Sequence, residues 1–558
     1  MRNKTTFIFL TLLVFVVSCS PDETKDIDVK ENPPKVILST SDLSNRLKEE
    51  NIGVIGIKEA PAEDPAESRT KGLYKSDDLD VASNIPLVLI AEVSAPFYED
   101  TTLRATHVAI NGNYAYVSYN VEGGRYLGAV DVINISDPIN PVIELQAILP
   151  DTDISALTYY KNALYLAGAT NLEEVDESNP AVLIKMELEN GLLTDNVSLI
   201  DVSSYVATDV IANDRGVFGV SGDNGALAKY DLNSSTLIKS VQVKDLRALG
   251  EYNSKIIVLS GTEGVHVYDA DNLNEINNFT TSQDIAESKR TIDFYKNNVL
   301  VAEGKRGIQA YDINNGNNIA TINLPIVTDE NVDQNEVVTN AVTVTNDHVF
   351  MANGAAGLSV HDLKDGISKI TKTGTLDIDG STNYVKSSDE YIFVASGNGG
   401  LKILKILETD SGSSTTEITC TNLPTYVGGS WLNVNSNEPQ AYRGSASLSG
   451  LNINDDFTFC GSLAVQNTLS INSGGNFYMS GSIAQGSVYN KSNSFNINKN
   501  ATLYIEGSMV IYGNMILNDG ATIEFLGAGA SVTIYGDVIK NGTVTIKGNY
   551  TDSFNKLK

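Results

Sequence analysis

The stretch ANGAAGLSVHD, Ala352–Asp362, decides how this chain is read. An apolar run (HVFMA) leads into it, Gly354 and Gly357 sit three apart, and a second run (LSV) follows. A glycine turn after a strand can open a phosphate loop. That loop then needs a helix, whose N-terminal N–H groups hold the phosphate. Here a strand-like run follows instead. The pattern recurs at SGDNGALAKYD (Ser221–Asp231), SGTEGVHVYD (Ser260–Asp269), AEGKRGIQAYD (Ala302–Asp312) and ASGNGGLKILK (Ala395–Lys405). Such recurrence excludes a unique nucleotide site. It describes hairpins in which Gly supplies positive φ without steric cost. The Asp that closes several copies (Asp231, Asp269, Asp312, Asp362, with Asn134 at the matching place) is the residue type that caps a following turn.

Around each hairpin lie two more short apolar runs, one before and one after. Units of about 40–50 residues with four strands each predict a β-propeller. Seven units fill residues 85–408. The last unit lacks a fourth strand, and IPLVLIAEVSAP (Ile85–Pro96) resembles the fourth strand of the first unit, NPVIELQAILP (Asn140–Pro150). An N-terminal strand is therefore expected to complete the last blade, which removes two open sheet edges. NGNYAYVSY followed by GAVDVINISDPINPV, in the first unit, is similar to the repeat of LVIVD-type propeller proteins. The later units keep the strand pattern and lose the DP…NP turn. That resemblance implies a bacterial envelope protein with a propeller fold and supplies no catalytic residue to carry over.

The N-terminus bears on location. Arg2 and Lys4 precede an apolar core, Phe7–Val17, of the length of a secretory h-region, and the run ends in VVSC. This resembles a bacterial lipobox, with residues 1–18 as signal peptide and Cys19 as the lipidated residue, carrying palmitate-type acyl chains. Asp22, Glu23 and Asp26 just after it resemble the acidic export signal of Bacteroidetes-type surface lipoproteins. The resemblance implies an outer-membrane protein, lipid-anchored and facing the cell exterior. Residues 19–84 are expected to be a tether, with Pro-rich, charged APAEDPAESRTKG (Ala60–Gly72) as its most linker-like part.

After a second linker, 409–419, residues 420–558 turn rich in Asn, Gly and Ser with short apolar pieces. VIYG (Val510–Gly513) and TIYG (Thr533–Gly536) lie 23 residues apart, about one solenoid coil. The composition resembles bactofilin-like β-helical repeats, with a β-sandwich as the alternative. Tyr512 and Tyr535 would stack on successive coils, and an outward ladder of that kind suits contact with a sugar or a protein. Cys420 and Cys460, the two cysteines left after Cys19, are an even pair in an oxidising compartment and invite a disulfide.

The chemistry this sequence offers is sparse. A formal net charge of −30 disfavours nucleic acid, which needs clustered Lys and Arg. The four histidines (His107, His266, His348, His361) lack ligand spacing, and there is no CxxC or GxSxG. No cofactor is expected; calcium at an Asn/Asp loop such as DINNGNN (Asp312–Asn318) is the alternative. His107 falls on an innermost strand near the channel. Ala156, Asp209, Arg247, Thr291, Ala341 and Tyr384 align with it and do not make a ring of like ligands. Two acidic insertions, Ala169–Val182 and Val327–Asn340, are expected to project from a propeller face. The expected function is a non-catalytic binding or scaffold module for a protein or glycan partner. The alternatives are a polysaccharide-active enzyme using the central face, and a self-associating structural protein. Oligomeric state is left open.

Overall fold

A computed structural model describes residues 34–58, 83–172, 179–282, 288–327, 332–376, 378–407 and 418–558. Cys19 and the signal sequence lie outside these residues. The chain forms a seven-bladed β-propeller and a parallel β-solenoid, with no helix among the described residues beyond short 3-10 turns.

Each blade is a four-stranded antiparallel meander. Blade 1 runs through Arg104–Asn111, Tyr114–Asn120, Gly128–Asn134 and Val142–Leu149. Its second and third strands are almost wholly buried, because each blade packs against a neighbour on both sides. Blades 2–6 repeat the plan. In blade 7 the strand Leu401–Ile406 pairs with Leu87–Val93, so the N-terminal strand closes the ring as expected.

The glycine turns join blades. Gly354 and Gly357 have φ of +58° and +72°. Gly354 bridges Thr382 of blade 7, exchanging backbone hydrogen bonds of 3.0 and 3.1 Å. The buried Thr382 hydroxyl donates to the carbonyls of both Gly354 and Gly357. Gly304 bridges Thr339 and Gly397 bridges Ala105 in the same way, from blade 5 to 6 and from blade 7 to 1. Each such turn is a clasp on the next blade's innermost strand. The recurring Asp is the turn cap: Asp231 accepts from the N–H groups of Asn233 and Ser234, Asp269 from Asp271 and Asn272, Asp312 from Asn314 and Asn315, and Asp362 from Lys364.

The expected tether is shorter than 19–84. Residues 34–58 lie along the outer edges of three successive blades. Ile37–Ser39 pairs with Val142–Leu149 of blade 1, Leu47–Lys48 and Gly53–Val54 pair with Leu87–Val93 of blade 7, and Ile57–Lys58 pairs with Thr371–Leu376 of blade 6. The physical reason is burial. Leu43, Ile52 and Val54 enter the core that also holds Val88, Ile90 and Val93. Arg46 anchors the segment: its guanidinium meets the fully buried Asp131 carboxylate at 2.9 and 2.5 Å and donates twice to the Ser94 carbonyl. Ser44–Arg46 is a single 3-10 turn.

Residues 431–552 wind into coils whose strands form parallel sheets, which excludes the sandwich alternative. Gln440, Phe457, Phe477, Leu503, Ile523 and Ile546 occupy one column, and Phe457, Phe477, Leu503 and Ile523 on it are wholly buried. Gly444, Gly461, Gly481 and Gly507 form another, with φ of +108° to +138°. A Cβ on Gly481 would lie 2.1 Å from the Gly461 carbonyl oxygen, so only glycine turns this corner. Asn454, Asn472, Asn498, Asn518 and Asn541 make a ladder in which each amide donates to the side chain before it. Cys420 and Cys460 form a disulfide across 40 residues, tying the first coils to the segment that enters them.

The solenoid docks on the propeller's outer wall. Ala464, Ala484 and Tyr512 join the hydrophobic core of blades 7 and 1, with Val488, Val510 and Tyr535 packed against it. The N-terminal segment lies between the two bodies: Val54 N–H donates to the Gly486 carbonyl at 2.9 Å, and Val488 N–H to the Ile52 carbonyl at 2.8 Å.

Candidate functional site

Docking on the outer wall leaves the mouth of the propeller channel open. The innermost strand of most blades carries a bulge near its start: register shifts at Thr106, Ser155, Thr208 and Arg247, and across 338–340. A bulge turns a side chain out of the blade packing and toward the axis. Several of these side chains also brace the ring. The Thr106 hydroxyl donates to Ile154 O, Thr208 to Leu246 O, Asn340 to Thr382 O and Asn383 to Ala105 O.

Above this ring lies a cleft of about 590 Å³ to which every blade contributes. Blade 1 supplies Arg104, Thr106, Asn120 and Glu122, blade 4 supplies Arg247, and blade 7 supplies Asn383. The acidic insertion before blade 6 adds Asp333, Asn335 and Glu336. That insertion does reach a propeller face, and Lys305 holds it there by donating to the carbonyls of Gln334, Asn335 and Val337. Of the insertion in blade 2, residues 173–178 lie outside the described residues. Two ion pairs stand at the cleft: Arg104 with Glu122, and Arg247 with Asp245 at 2.9 Å.

Lys289 forms the floor. It reaches across the channel from blade 5, and its ammonium donates to Thr106 O of blade 1 at 2.8 Å and Ser155 O of blade 2 at 2.7 Å. It also lies over the Tyr384 ring, 5.2 Å from the centroid. Burial lowers the Lys289 pKa to about 8, with Asp209 opposing the shift. The Asp209 carboxylate accepts from the N–H groups of Val210 and Leu249. Burial raises its pKa to about 6 against those bonds and the nearby Lys289. His107 lies beneath, stacked on Tyr384 at 3.7 Å between centroids. Burial, then Lys289 and Lys386, holds its pKa well below 6.5, so the ring is neutral at pH 7. Its Nδ1 makes no hydrogen bond among the described residues.

The sequence located His107, Asp209 and Tyr384 in the channel but not the residue that organises them. Lys289 precedes its strand, in a Lys-Arg pair, and that pair was its only signal. Arg247 was aligned one place off: it is the bulged residue, and Ala248 occupies the position equivalent to His107.

The expected ligand ladder is contradicted. Tyr512 and Tyr535 do stack, 5.1 Å apart, but in the junction with the propeller. Tyr512 is 3% exposed. Burial pushes the Tyr535 hydroxyl up to about 12, with Asp137 and Glu49 of the propeller side adding to the shift. These tyrosines cement two domains and do not face a ligand. The outward aromatic stack is Tyr478 on Tyr504, 4.6 Å apart and nearly parallel. No group of three or more His, Cys, Asp or Glu side chains is gathered as for a metal ion among the described residues. The Asp312 carboxylate, raised above as a calcium ligand, is engaged in capping its own turn.

The search of curated proteins finds no match. Among solved structures, the chain resembles the WD40 β-propeller domain of Doa1, at 10% identity and TM-score 0.42 over 57% of this chain and 97% of that one. It also resembles the computationally designed Ika8 protein, at 12% identity and TM-score 0.36 over 56% and 98%. The LVIVD repeat family model matches residues 104–146 and 379–416, which fall on blade 1 and around blade 7, the two blades that the closing strand joins. The chain thus carries LVIVD repeats within a seven-bladed propeller, to which a β-solenoid is docked.

Proposed function

We propose that this protein is a non-catalytic recognition module, lipid-anchored through Cys19 on the outer membrane and facing the cell exterior in the manner of Bacteroidetes surface lipoproteins. The channel mouth would hold its ligand. The observation that carries the reading is the composition of the cleft: amides and hydroxyls from every blade but the fourth, which supplies Arg247, and a floor closed by an ammonium bonded to backbone carbonyls. Such a cup offers many hydrogen bonds in fixed directions, which suits a polyhydroxylated glycan end or a polar peptide loop. The chemistry favours the glycan. Asn120, Asn335 and Asn383 present both donors and acceptors, as hydroxyl groups require.

The test is a panel of soluble glycans titrated against the full chain by calorimetry, with Asn335→Ala and Glu122→Gln as variants. Saturable binding that weakens in both variants supports the reading. Binding unaffected by either variant refutes the assignment to the mouth, and turnover of a glycan refutes the non-catalytic part. Cys19→Ala tests the anchor separately: labelled palmitate should no longer be incorporated, and the protein should leave the membrane fraction.

A further inference from the structure

The outer strands of the blades are treated unequally, and the inequality marks a second surface. In several blades the fourth strand carries a one-residue bulge at the same point. The bulged residue is Ile90 in blade 7, Ile238 in blade 3, Ile276 in blade 4 and Ile319 in blade 5. In blade 7 the residue is 1% exposed, because Leu47–Lys48 and Gly53–Val54 add to that strand on either side of it. In blades 3, 4 and 5 the same isoleucine is 55%, 53% and 39% exposed. Leu237, beside Ile238, is 57% exposed.

Blade 1 shows the polar solution at this point. Its bulged residue is Glu144, bonded to Asn134 and Tyr114. Three adjacent blades with isoleucine therefore present apolar surface where the fold elsewhere covers it or makes it polar. Among the described residues, no strand pairs with the outer edges of Leu237–Gln242, Glu275–Phe279 and Asn318–Ile322, which leaves backbone N–H and C=O groups of each turned outward. The usual guard of such an edge is a projecting lysine. Here Lys239 is folded back, its ammonium bonded to Asn272 O and Asn274 Oδ1.

We infer that the outer edges of blades 3, 4 and 5 bind an extended, apolar segment of a partner protein by antiparallel strand addition. The occupant is read from continuity with an interface already in the fold. Residues 37–58 cross blades 1, 7 and 6 in that order as pairs of two or three residues, and blades 5, 4 and 3 continue the same wall. The partner segment would resemble them: short runs such as Ile37–Leu38 or Gly53–Val54, separated by polar spacers. Main-chain hydrogen bonds would supply affinity, and the exposed isoleucines would set the positions of the partner's apolar side chains. This surface is separate from the channel mouth, so it stands or falls independently of the glycan reading.

The probe is a synthetic peptide of residues 35–58 with photoleucine at positions 38 and 57, added to the full chain and read by anisotropy and crosslink mapping. The expected result is saturable binding with crosslinks in 237–242, 275–279 and 318–322. Affinity should fall by about tenfold or more in I238D/I276D/I319D, as expected when apolar contacts are replaced by charge. The conservative I238V/I276V/I319V should retain binding, and unchanged melting of the Asp variant would show that its fold is intact. No saturable binding would overturn the inference, as would crosslinks confined to blades 1, 6 and 7, which mean exchange with the chain's own segment. Concentration-dependent dimerisation lost in the Asp variant would make the occupant a second copy and overturn the assignment to a partner.

Discussion

Arg46 is where a residue expected in a tether carries structural weight, so its replacement is a sharp test. Its guanidinium makes two bonds to Asp131 and two to the Ser94 carbonyl, and lies 5.9 Å from the Tyr119 ring centroid. Burial alone would lower its pKa, but the Asp131 carboxylate more than reverses that and holds the charge firmly on Arg46. The Arg46 side chain is 12% exposed and that of Asp131 is 0%. In Arg46→Ala the carboxylate keeps, among the described residues, Gln146 Nε2 at 3.5 Å and the neighbouring Tyr119 hydroxyl as further donors. Removing one partner of a buried pair costs about 3–5 kcal/mol, because the remaining charge is left in a low dielectric. The assay is urea denaturation at pH 7, combined with hydrogen exchange of amides 37–54 to localise the loss. Replacing both partners, as in R46M/D131L, should recover most of it, since a buried pair is often no better than apolar packing of similar volume. A loss in Arg46→Ala below about 1 kcal/mol, the value of a surface pair, would refute the argument and return residues 34–58 to the status of a tether.

Three further outcomes follow from particular contacts. Gly354→Ala adds a Cβ 2.2 Å from the Glu336 carbonyl oxygen at φ +58° and should cost about 2–3 kcal/mol in thermal melts. Gly112→Ala, at φ +53° with open space around it, should cost only about 1 kcal/mol, so equal losses would show that the clasp is irrelevant. C420S/C460S opens a 40-residue loop and should destabilise the solenoid by about 4 kcal/mol on chain-entropy grounds, read from a urea transition followed at Trp431. An unchanged midpoint there would mean that the entering segment does not need the link. Asp209 has a folded pKa raised to about 6, so between its unfolded value near 4 and about 6 the native state binds the extra proton. Its contribution to stability is therefore largest below about pH 4 and is lost as pH rises through 6. The stability difference between the wild type and Asp209→Asn should change across that window, and a difference flat from pH 4 to 7 would contradict the burial of the carboxylate.

The propeller was legible because its signal is repeated. No single copy of the glycine hairpin is diagnostic, but several copies with the same Asp cap are. The N-terminal clasp was not legible, because its strands are two or three residues long and no periodicity fits in so short a run. Ring closure by 87–93 could be read because that strand is seven residues and resembles a fourth strand elsewhere. In the solenoid, the column residues are unevenly spaced: 17 residues separate Gln440 from Phe457 and 26 separate Phe477 from Leu503. A fixed period therefore caught only Tyr512 and Tyr535, and missed the outward Tyr478 and Tyr504. Whether a solenoid tyrosine faces water or another domain depends on docking, which local sequence does not encode. In the candidate site Arg247 is the bulged residue of its strand, the place that Thr106 holds in blade 1, and a one-residue slip in a short strand exchanges a side chain at the mouth for one in the blade packing.

The same contacts also join the two domains. In a propeller closed by an N-terminal strand, the outer edge of the closing strand is ordinarily free. Here that edge is taken by Leu47–Lys48 and Gly53–Val54, and the backbone of Ile52 and Val54 is bonded to 486–488 of the solenoid. Ser447 of the solenoid likewise donates to Ser83, just before the closing strand. The segment that covers blade 7 is thus the seat of the second domain. Ring closure, edge protection and domain docking all depend on one stretch of chain. The solenoid's position is fixed at the side wall by that seat. This keeps the channel mouth clear, and among the described residues it covers stretches of the outer edges of blades 1, 6 and 7 and none of those of blades 3, 4 and 5.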